Sequence, residues 1–301
     1  MLTKPLISVC LITYNHKDYI NNAIESILKQ KGLKEESWEI IIADDCSTDN
    51  TQTIISDYKK KYPKRINTIL HKMNIGADKN FIGLLAKAKG KYIAYLEGDD
   101  FWTDENKLKI QFEFLEKNRH LVGCFGNSNV IDKNNRVIEK FFLKTKIPNE
   151  ISQKDLWNSN YLGQTGTLMF AKSALDKIHP IFYKYPWDRI LQFGLADHGN
   201  WGYIDKIFSS YRIHSAGTYS MIGSKKQLEN LNEINKTIYS VKNWRKKYNH
   251  ILRKKLSYLN LELYKQNVKE KNNLKKIKSM FAVLYYCESK TQAIKALLKN
   301  F

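Results

Sequence analysis

Short apolar runs alternate with amphipathic segments along the first hundred residues of the chain. The runs that predict buried strands are 7–12, 38–43, 65–70 and 92–96. The segments whose apolar residues recur at helical spacing, and which predict helices, are 19–29, 51–62 and 80–88. Strands that alternate with helices in this way form a parallel sheet with right-handed crossovers. We therefore predict an α/β fold with a Rossmann-like, mostly parallel sheet flanked by helices.

Polar residues follow three of these strands at the point where each strand ends. They are the segments 13–15 (TYN), 44–45 (DD) and 97–100 (EGDD). Ligands bind outside the carboxyl ends of the strands in sheets of this kind. The chain has neither G-x-G-x-x-G after its first strand nor G-x-x-x-x-G-K-[ST], so the phosphate cradles of dinucleotide-binding and P-loop proteins are both missing. The sequence predicts a site of another kind at this edge.

Three carboxylates crowd into the last of these segments. Glu97, Asp99 and Asp100 lie within four residues at a strand end, where their mutual repulsion is costly unless a cation sits among them. A divalent metal that bridges a diphosphate would relieve that repulsion. The alternative is that the cluster caps a helix that starts near Asp104.

The positive charge of the chain is concentrated at its carboxyl end. The formal net charge is +20, and residues 225–301 contribute +14 of it through 19 basic and 5 acidic residues. This asymmetry indicates a change of role near Gly223. We predict a catalytic domain at 1–222 and a basic helical region at 223–301.

Other sequence features constrain the class of protein and its compartment. No run approaches the roughly 18 apolar residues that span a bilayer. The first apolar run ends on Thr13 rather than on a small-residue cleavage site, so it predicts a strand and not a signal peptide. The four cysteines form no C-x-x-C pair, which disfavours a zinc or disulfide framework and predicts a reducing cytoplasm.

Four motifs occur in order with helix-sized gaps between them. They are 7–15 (ISVCLITYN), 42–51 (IADDCSTDNT), 74–76 (NIG) and 89–102 (KGKYIAYLEGDDFW). Together they resemble the family-2 nucleotide-sugar glycosyltransferases with the GT-A fold, of the bacterial surface-glycan type, over roughly residues 5–215. The resemblance implies an inverting glycosyltransferase, dependent on Mn²⁺ or Mg²⁺, that moves a sugar from a nucleotide-diphosphate donor, a UDP-sugar, to a glycan acceptor. Lipopolysaccharide, capsule or another surface polysaccharide is the implied product.

The same resemblance implies roles at the donor site. Tyr14 resembles the ring that stacks on the base, with Thr13 beside it contributing backbone contacts. Asp45 matches the carboxylate that accepts a hydrogen bond from the base imide, which favours uridine. Lys79 matches a basic position near the ribose or diphosphate, and Asp99 matches the ribose contact. A core tyrosine at position 14 and an ordinary surface lysine at position 79 are the alternatives.

Metal binding and catalysis involve three further positions. Asp100 resembles the metal ligand, and His214, in a Tyr-Arg-x-His turn, completes the metal site or touches the diphosphate unless it is structural. Asp188 matches the acidic residue that opens a helix in relatives and serves as general base for the acceptor hydroxyl. Asp188 as a helix cap, and Asp197 or Asp205 as the base, are the alternatives. The segment 162–170 resembles a strand under the acceptor site.

Apolar stripes at helical spacing run through the basic region. Their members are Trp244, Tyr248, Ile251, Leu252, Leu256 and Leu259, then Ile277, Phe281, Leu284 and Tyr285, then Ile294, Leu297, Leu298 and Phe301. The stripes predict packing on the protein itself or formation of a homodimer, and the lysines favour an anionic membrane surface that carries a lipid-linked acceptor. We expect a cytoplasmic protein, peripheral at the inner face of the cell membrane. A sugar-phosphate nucleotidyltransferase and a nucleic-acid-binding protein are the rival classes, and no nucleic-acid motif is present.

Overall fold

A computed structural model describes residues 5–158, 162–215, 217 and 223–299. The chain divides into two compact units, Met1–His214 and Ser215–Phe301. This division falls upstream of the boundary predicted at Gly223. Among the described residues, no helix combines the length and the apolar character needed to cross a bilayer.

One mixed sheet runs through the first unit. Its strands among the described residues are β1 (Ile7–Thr13), β2 (Trp38–Asp44), β3 (Ile66–Leu70), β4 (Tyr92–Glu97), β5 (Phe101–Trp102), β6 (Leu121–Ile131), β7 (Val137–Glu139), β8 (Glu150–Ile151), β9 (Met169–Ala171) and β10 (Asn200–Arg212). The strand order is β3-β2-β1-β4-β9-β6-β10-β5, with β7 on β6 and β8 on β10. The first four neighbours are parallel, as the alternating pattern predicts, and β9 runs antiparallel to β4 and β6.

Eight α-helices are described in the first unit, and the first three of them correspond to the predicted segments 19–29, 51–62 and 80–88. The eight are α1 (Ile20–Leu28), α2 (Thr51–Lys61), α3 (Ala77–Lys87), α4 (Lys107–Lys117), α5 (Asp155–Asn158), α6 (Lys172–Leu175), α7 (Ile181–Lys184) and α8 (Asp188–Leu195). Strand β1 lies at the centre of the core, with Ile7, Val9 and Leu11 fully buried against apolar residues of α1 and the neighbouring strands. Burial on both faces explains why the parallel strands are continuous apolar runs rather than alternating ones.

The segment 162–170 differs from the predicted strand. Within this segment the only strand is β9, which begins at Met169, and residues Thr165–Thr167 form a 3₁₀ turn. Two buried side chains hold this turn, because Trp102 Nε1 donates to the carbonyl of Gly166 at 2.9 Å and Gln111 Nε2 donates to that of Thr167 at 2.8 Å. These side-chain bonds satisfy carbonyls that a strand would pair with its neighbours.

The second unit is helical among its described residues. It contains α9 (Ser224–Ser240), α10 (Lys242–Lys269), α11 (Asn273–Tyr286) and α12 (Lys290–Leu298), and α10 packs on both α9 and α11. The predicted stripe of α10 is buried, with Trp244, Leu252 and Leu256 at most 2% exposed. Packing is therefore the role of this first stripe. The predicted stripe of α11 is mostly exposed, with Leu284 partly buried. The stripe of α12 is divided between buried Leu297 and exposed Ile294 and Leu298, and Phe301 lies outside the described residues.

Candidate active site

The register of the parallel strands brings the polar strand ends together. Thr13 at the end of β1 pairs with Asp44 on β2, and Ile12 pairs with Glu97 on β4. A Cβ at Gly98 would lie 2.5 Å from Thr13 Oγ1, so only glycine lets the acidic segment approach β1 this closely. The three polar segments therefore meet at one edge of the sheet, as their positions in the sequence predict.

Tyr14 lies in the loop that leaves β1. Its side chain is 43% exposed, so it is not a core tyrosine. The next residue, Asn15, has φ 56° and fixes the loop. Its side-chain Oδ1 accepts from the main-chain amide of Thr48 at 2.8 Å, and its own main-chain amide donates to Ser47 Oγ at 2.8 Å. A left-handed asparagine thus holds Tyr14 at the open edge of the sheet.

Asp44 and Asp45 are both buried, but they hold different parts of the chain. Asp44 Oδ1 accepts from the Ser47 amide at 2.9 Å and from Gln52 Nε2 at 2.6 Å, so it fixes the turn before α2. The Asp45 oxygens accept from the amides of Ile75 and Gly76 at 2.7 and 2.9 Å. Asp45 therefore anchors the loop that leads into α3.

Lys79 lies in the first turn of α3, immediately beyond the loop that Asp45 holds. Its side chain is exposed. Helix α3 begins at Ala77, three residues earlier than predicted, with Gly76 in the left-handed region at φ 89° just before it. Because Asp45 fixes this loop, the donor candidates Asp45 and Lys79 belong to one local structure.

Asp99 lies between two histidines. His214 Nε2 is 3.0 Å from Asp99 Oδ2, and His16 Nε2 is 3.9 Å from the same oxygen. Burial opposes ionisation of Asp99, yet the hydrogen bond from His214 and the charges of both rings hold its pKa below the ordinary value. His214 is therefore hydrogen-bonded to the acidic segment.

His16 belongs to the site although the sequence analysis assigned it no role. Thr13 Oγ1 lies 3.1 Å from His16 Nδ1, so Thr13 links β1 to this ring. Burial lowers the pKa of His16 in spite of the nearby Asp99. Its position directly after the TYN segment, at the end of a strand, was the signal available in the sequence.

Arg212 is a second residue that the sequence analysis left without a role. It is 1% exposed, and its main-chain amide donates to Asp100 Oδ1 at 2.8 Å. Its side chain donates from Nε to the carbonyl of Asp99 at 2.7 Å and from Nη1 to that of Asp132 at 3.1 Å. The guanidinium also lies 4.5 Å from the ring centre of Tyr19. Strand β10 thus fixes the acidic segment through one buried arginine.

The acidic cluster does not cap a helix. Strand β5 separates Asp100 from α4, and it is Asp104 that accepts from the Asn106 amide just before that helix, at 2.8 Å. Burial and the charges of Asp99 and Glu97 raise the pKa of Asp100 well above its ordinary value. Burial and the charges of Asp99 and Asp188 raise the pKa of Glu97 to about 8. The closeness of these three carboxylates therefore disfavours the ionisation of all three at the same time.

One oxygen of this cluster has no hydrogen-bond partner. Asp100 Oδ2 is buried and unpaired, and an unpaired buried carboxylate oxygen is costly unless a cation or a proton meets it. Within the part of the chain that the structure describes, no group of three or more His, Cys, Asp or Glu side chains is arranged to hold a metal alone. The donor set instead fits a hard divalent cation held by one or two carboxylates and completed by substrate phosphate oxygens.

Asp188 is the first residue of α8. Its Oδ1 accepts from the adjacent Arg189 amide at 2.7 Å, and its charge acts on Glu97. Asp188 is exposed as a residue, yet the surrounding protein desolvates its carboxyl and raises the pKa of that group. Asp197 instead accepts from Gln153 at 2.7 Å, and Asp205 accepts from the Tyr203 hydroxyl at 3.1 Å. The charge of Asp188 therefore reaches the acidic cluster.

Comparison with protein families and with curated proteins gives consistent results. The family model described as "Glycosyl transferase family 2" matches residues 8–178. TuaG of Bacillus subtilis, a putative teichuronic acid biosynthesis glycosyltransferase, is 33% identical over 160 residues, which cover 53% of this chain and 60% of TuaG. WfgD of Escherichia coli, a UDP-Glc:α-D-GlcNAc-diphosphoundecaprenol β-1,3-glucosyltransferase, is 29% identical over 219 residues, which cover 71% of this chain and 80% of WfgD.

A solved structure shares the fold. The 1–349 fragment of Staphylococcus aureus TarS in complex with UDP-GlcNAc superposes with a TM-score of 0.70 at 17% identity, covering 98% of this chain and 88% of that one. The mixed sheet flanked by helices is thus the GT-A fold. The chain spans 60% of the length of TuaG and of mycobacterial relatives that it matches at 32% identity. With its family model matched from β1 to the region beyond β9, the chain belongs to glycosyl transferase family 2.

Proposed function

We propose that the protein transfers a sugar from a UDP-sugar to a glycan acceptor, with inversion at the anomeric carbon and dependence on a divalent metal. The observation that carries the proposal is the buried, unpartnered Oδ2 of Asp100 beside Asp99 and Glu97. A nucleoside diphosphate with its metal supplies the positive charge and the oxygen ligands that this arrangement needs. Family membership supports the same chemistry.

The donor occupies the carboxyl edge of the sheet in this proposal. The exposed ring of Tyr14 stacks on the uracil, and Thr13 supports it from the end of β1. Asp45 accepts the imide N–H with a lone pair that the amides of Ile75 and Gly76 leave available. Asp99 binds the ribose, and Lys79 approaches the ribose or the diphosphate.

Asp100 is the proposed metal ligand, through its unpartnered oxygen. His214 is the proposed second protein ligand, and it would exchange its hydrogen bond to Asp99 for the metal. The bound Mn²⁺ or Mg²⁺ supplies positive charge to the departing diphosphate. Arg212 keeps the backbone of Asp99 and Asp100 in place while the donor binds.

Asp188 is the proposed general base. It removes the proton from the acceptor hydroxyl as that oxygen attacks the anomeric carbon, and the bond between this carbon and the diphosphate oxygen breaks in the same displacement. Desolvation raises the pKa of Asp188, which brings its basicity closer to what a hydroxyl nucleophile needs. One carboxylate base is sufficient, because inversion involves no covalent sugar intermediate.

The proposed acceptor is a lipid-linked glycan of a bacterial surface polysaccharide. TuaG is named for teichuronic acid biosynthesis, and WfgD is named for a diphosphoundecaprenol acceptor. The net charge of +14 over residues 225–301 favours the anionic inner face of the cell membrane, where such acceptors are met. We propose that the enzyme works as a peripheral protein at that face.

Hydrolysis of nucleotide sugars in the absence of acceptor tests the proposal, because it does not require knowing the acceptor. A panel of UDP-, GDP-, dTDP- and CMP-sugars is incubated with Mn²⁺, with Mg²⁺ and with a chelator. We expect turnover of one or more UDP-sugars with either metal and loss of turnover with the chelator. Full turnover in the chelator contradicts metal dependence, and preference for another nucleotide contradicts the role of Asp45.

Metal binding itself is measured by the electron paramagnetic resonance signal of Mn²⁺ in the presence of UDP. Asp100→Asn is expected to weaken the UDP-dependent binding of Mn²⁺ by at least roughly tenfold, since a neutral amide is a poorer ligand for a hard cation. Asp205→Asn, an exposed aspartate, is the matched control. Unchanged Mn²⁺ binding in Asp100→Asn excludes it as the ligand.

A further inference from the structure

Helix α11 carries apolar residues on its outer face as well as on its inner face. Leu274, Ile277, Phe281 and Tyr285 are 66, 46, 62 and 62% exposed, and their spacing of three and four residues places them on one side of the helix. Val283, on the opposite side, is 1% exposed and packs in the core of the second unit. We call these four residues the exposed stripe. It is a contiguous apolar surface, which soluble surfaces seldom carry without a partner.

Helix α12 also carries apolar residues on both its inner and its outer face. In α12, Ala293 and Leu297 are buried, whereas Ile294 and Leu298 are 46 and 61% exposed. Both helices therefore present an inner apolar face to their own unit and an outer apolar face to solvent. The inner faces already account for the packing of the unit.

The residues around the exposed stripe carry charge of nearly one sign. Residues 273–299 contain six lysines and one glutamate. Lys278, one residue after Ile277, has an exposed side chain. Lys275, one residue after Leu274, is also exposed, but its Nζ pairs with Glu229 Oε1 at 3.1 Å. An apolar face bordered by lysines is the composition of helices that lie in the interface of an anionic bilayer.

The charge also argues against a second copy of the chain as the occupant. In a two-fold dimer the same patch faces itself, so the lysines that border the stripe would approach the lysines of the other copy. Like charges at such an interface oppose association, and an anionic surface attracts the same groups. Charge complementarity therefore favours lipid headgroups.

We propose that the exposed stripe inserts into the interface of an anionic membrane, with α11 lying in the membrane plane. Helices bound in this way bury their apolar face about 5–10 Å into the boundary between headgroups and acyl chains. The inference rests on the proposed function, which requires a lipid-linked acceptor, and it assigns membrane contact to α11 rather than to the basic region as a whole. The lysines attract the helix to the anionic headgroups, and the exposed stripe inserts into the membrane interface.

Vesicle co-sedimentation of the full chain tests the proposal. Vesicles of phosphatidylglycerol mixed with phosphatidylcholine are compared with vesicles of phosphatidylcholine alone, at low and high salt. We expect strong recovery with the anionic vesicles, weak recovery with the neutral ones, and a decrease with salt because the lysine contribution is screened. Equal recovery with both kinds of vesicle overturns the proposal.

Substitutions in the stripe separate insertion from simple charge attraction. Ile277→Ser with Phe281→Ser is expected to weaken partitioning to anionic vesicles by roughly tenfold or more, and both side chains are exposed enough for the fold to be retained. Lys278→Gln is expected to weaken it about fivefold, the equivalent of about 1 kcal/mol per lysine. The control is Val137→Ser with Ile138→Ser, a pair that is 58 and 54% exposed on β7 of the first unit. Wild-type binding by the stripe variant overturns the proposal.

Two further readouts distinguish the remaining outcomes. Light scattering measures the oligomeric state of the wild type and of the stripe variant. If the wild type is a dimer, the variant is a monomer and neither binds vesicles, the exposed stripe is a dimer interface and the proposal is overturned. UDP-sugar hydrolysis without vesicles is expected to be equal in the stripe variant and the wild type. If the wild type binds vesicles through the stripe but hydrolyses no nucleotide sugar, the proposed function fails and the membrane face stands.

Discussion

The main-chain amide of Arg212 donates to Asp100 Oδ1 at 2.8 Å, across 112 positions of the sequence. The side chain of the same residue donates to the carbonyl of Asp99 at 2.7 Å. One residue on β10 therefore holds both the carboxylate and the backbone of the acidic segment. The precision of the proposed metal and donor site depends on this pair of contacts.

Arg212→Lys is expected to weaken UDP-dependent binding of Mn²⁺ and the turnover of UDP-sugar by roughly 10- to 100-fold. A lysine retains the charge but cannot donate hydrogen bonds to the carbonyls of both Asp99 and Asp132, nor can it stack a planar guanidinium on the ring of Tyr19. Calorimetric titration and steady-state kinetics measure the effect, and circular dichroism checks the fold. Arg136→Lys, at an exposed turn, is the control. Equal Mn²⁺ affinity in both variants would limit Arg212 to a structural role.

Tyr14→Ala is expected to weaken UDP binding by about 1–3 kcal/mol, the usual contribution of an aromatic ring stacked on a base. Tyr14→Phe keeps the ring and is expected to bind UDP nearly as the wild type does. Isothermal titration with UDP measures both variants, and Tyr183→Ala, a tyrosine that is 51% exposed on α7, is the control. Unaltered UDP affinity in Tyr14→Ala would remove Tyr14 from the donor site.

Asp188→Asn is expected to lower the catalytic rate by roughly 10²- to 10⁴-fold while UDP binding stays close to that of the wild type. Asp197→Asn and Asp205→Asn are the matched controls, because these aspartates accept hydrogen bonds from Gln153 and Tyr203, respectively. Loss of turnover in one of the controls, with a normal rate in Asp188→Asn, would transfer the role of base to that residue.

The same base predicts the acid limb of the pH profile. Asp188 accepts a proton only when it is ionised, so kcat/KM is expected to fall as the pH falls through its pKa. Because desolvation raises that pKa, the limb is expected at a higher pH than an ordinary aspartate would give. A pH series of UDP-sugar hydrolysis measures this limb. A rate that stays constant down to the ordinary aspartate range would exclude Asp188.

The burial of Lys107 predicts how the free energy of unfolding depends on pH. Lys107 is fully buried, and its Nζ donates to Gln111 Oε1 at 2.6 Å and lies 4.3 Å from the ring centre of Trp102. Burial lowers the pKa of Lys107 to about 7. In the unfolded chain its pKa is about 10.4, so between roughly pH 7 and 10 the unfolded state binds one more proton than the folded state. This group therefore makes the free energy of unfolding rise with pH over that interval, by up to about 1.4 kcal/mol per pH unit.

Lys107→Met removes this group while approximately conserving side-chain volume. Urea unfolding at a series of pH values is expected to show a smaller rise for the variant than for the wild type. The surface substitution Lys109→Met controls for a general loss of positive charge. Parallel pH dependences in Lys107→Met and the wild type would show that Lys107 remains charged in the folded protein.

The order of strands and helices over the first hundred residues was determined by the sequence alone. Buried parallel strands must be apolar on both faces and must be joined by amphipathic helices, and both patterns are local and repeat along the chain. The same local pattern located the carboxyl ends of β1, β2 and β4, and with them Tyr14, Asp45, Asp99 and Asp100. Their convergence followed from the topology of a parallel sheet.

Contacts between distant segments were decided only by the tertiary structure. The positions of Arg212 and His16 against Asp99 and Asp100 depend on the register of β10 and on the close approach at Gly98, which no local pattern encodes. The same holds for the apolar stripes of the second unit. Helical spacing predicts that a face is apolar, but whether another helix covers it depends on packing between separate segments, so the stripe of α10 is buried and that of α11 is exposed.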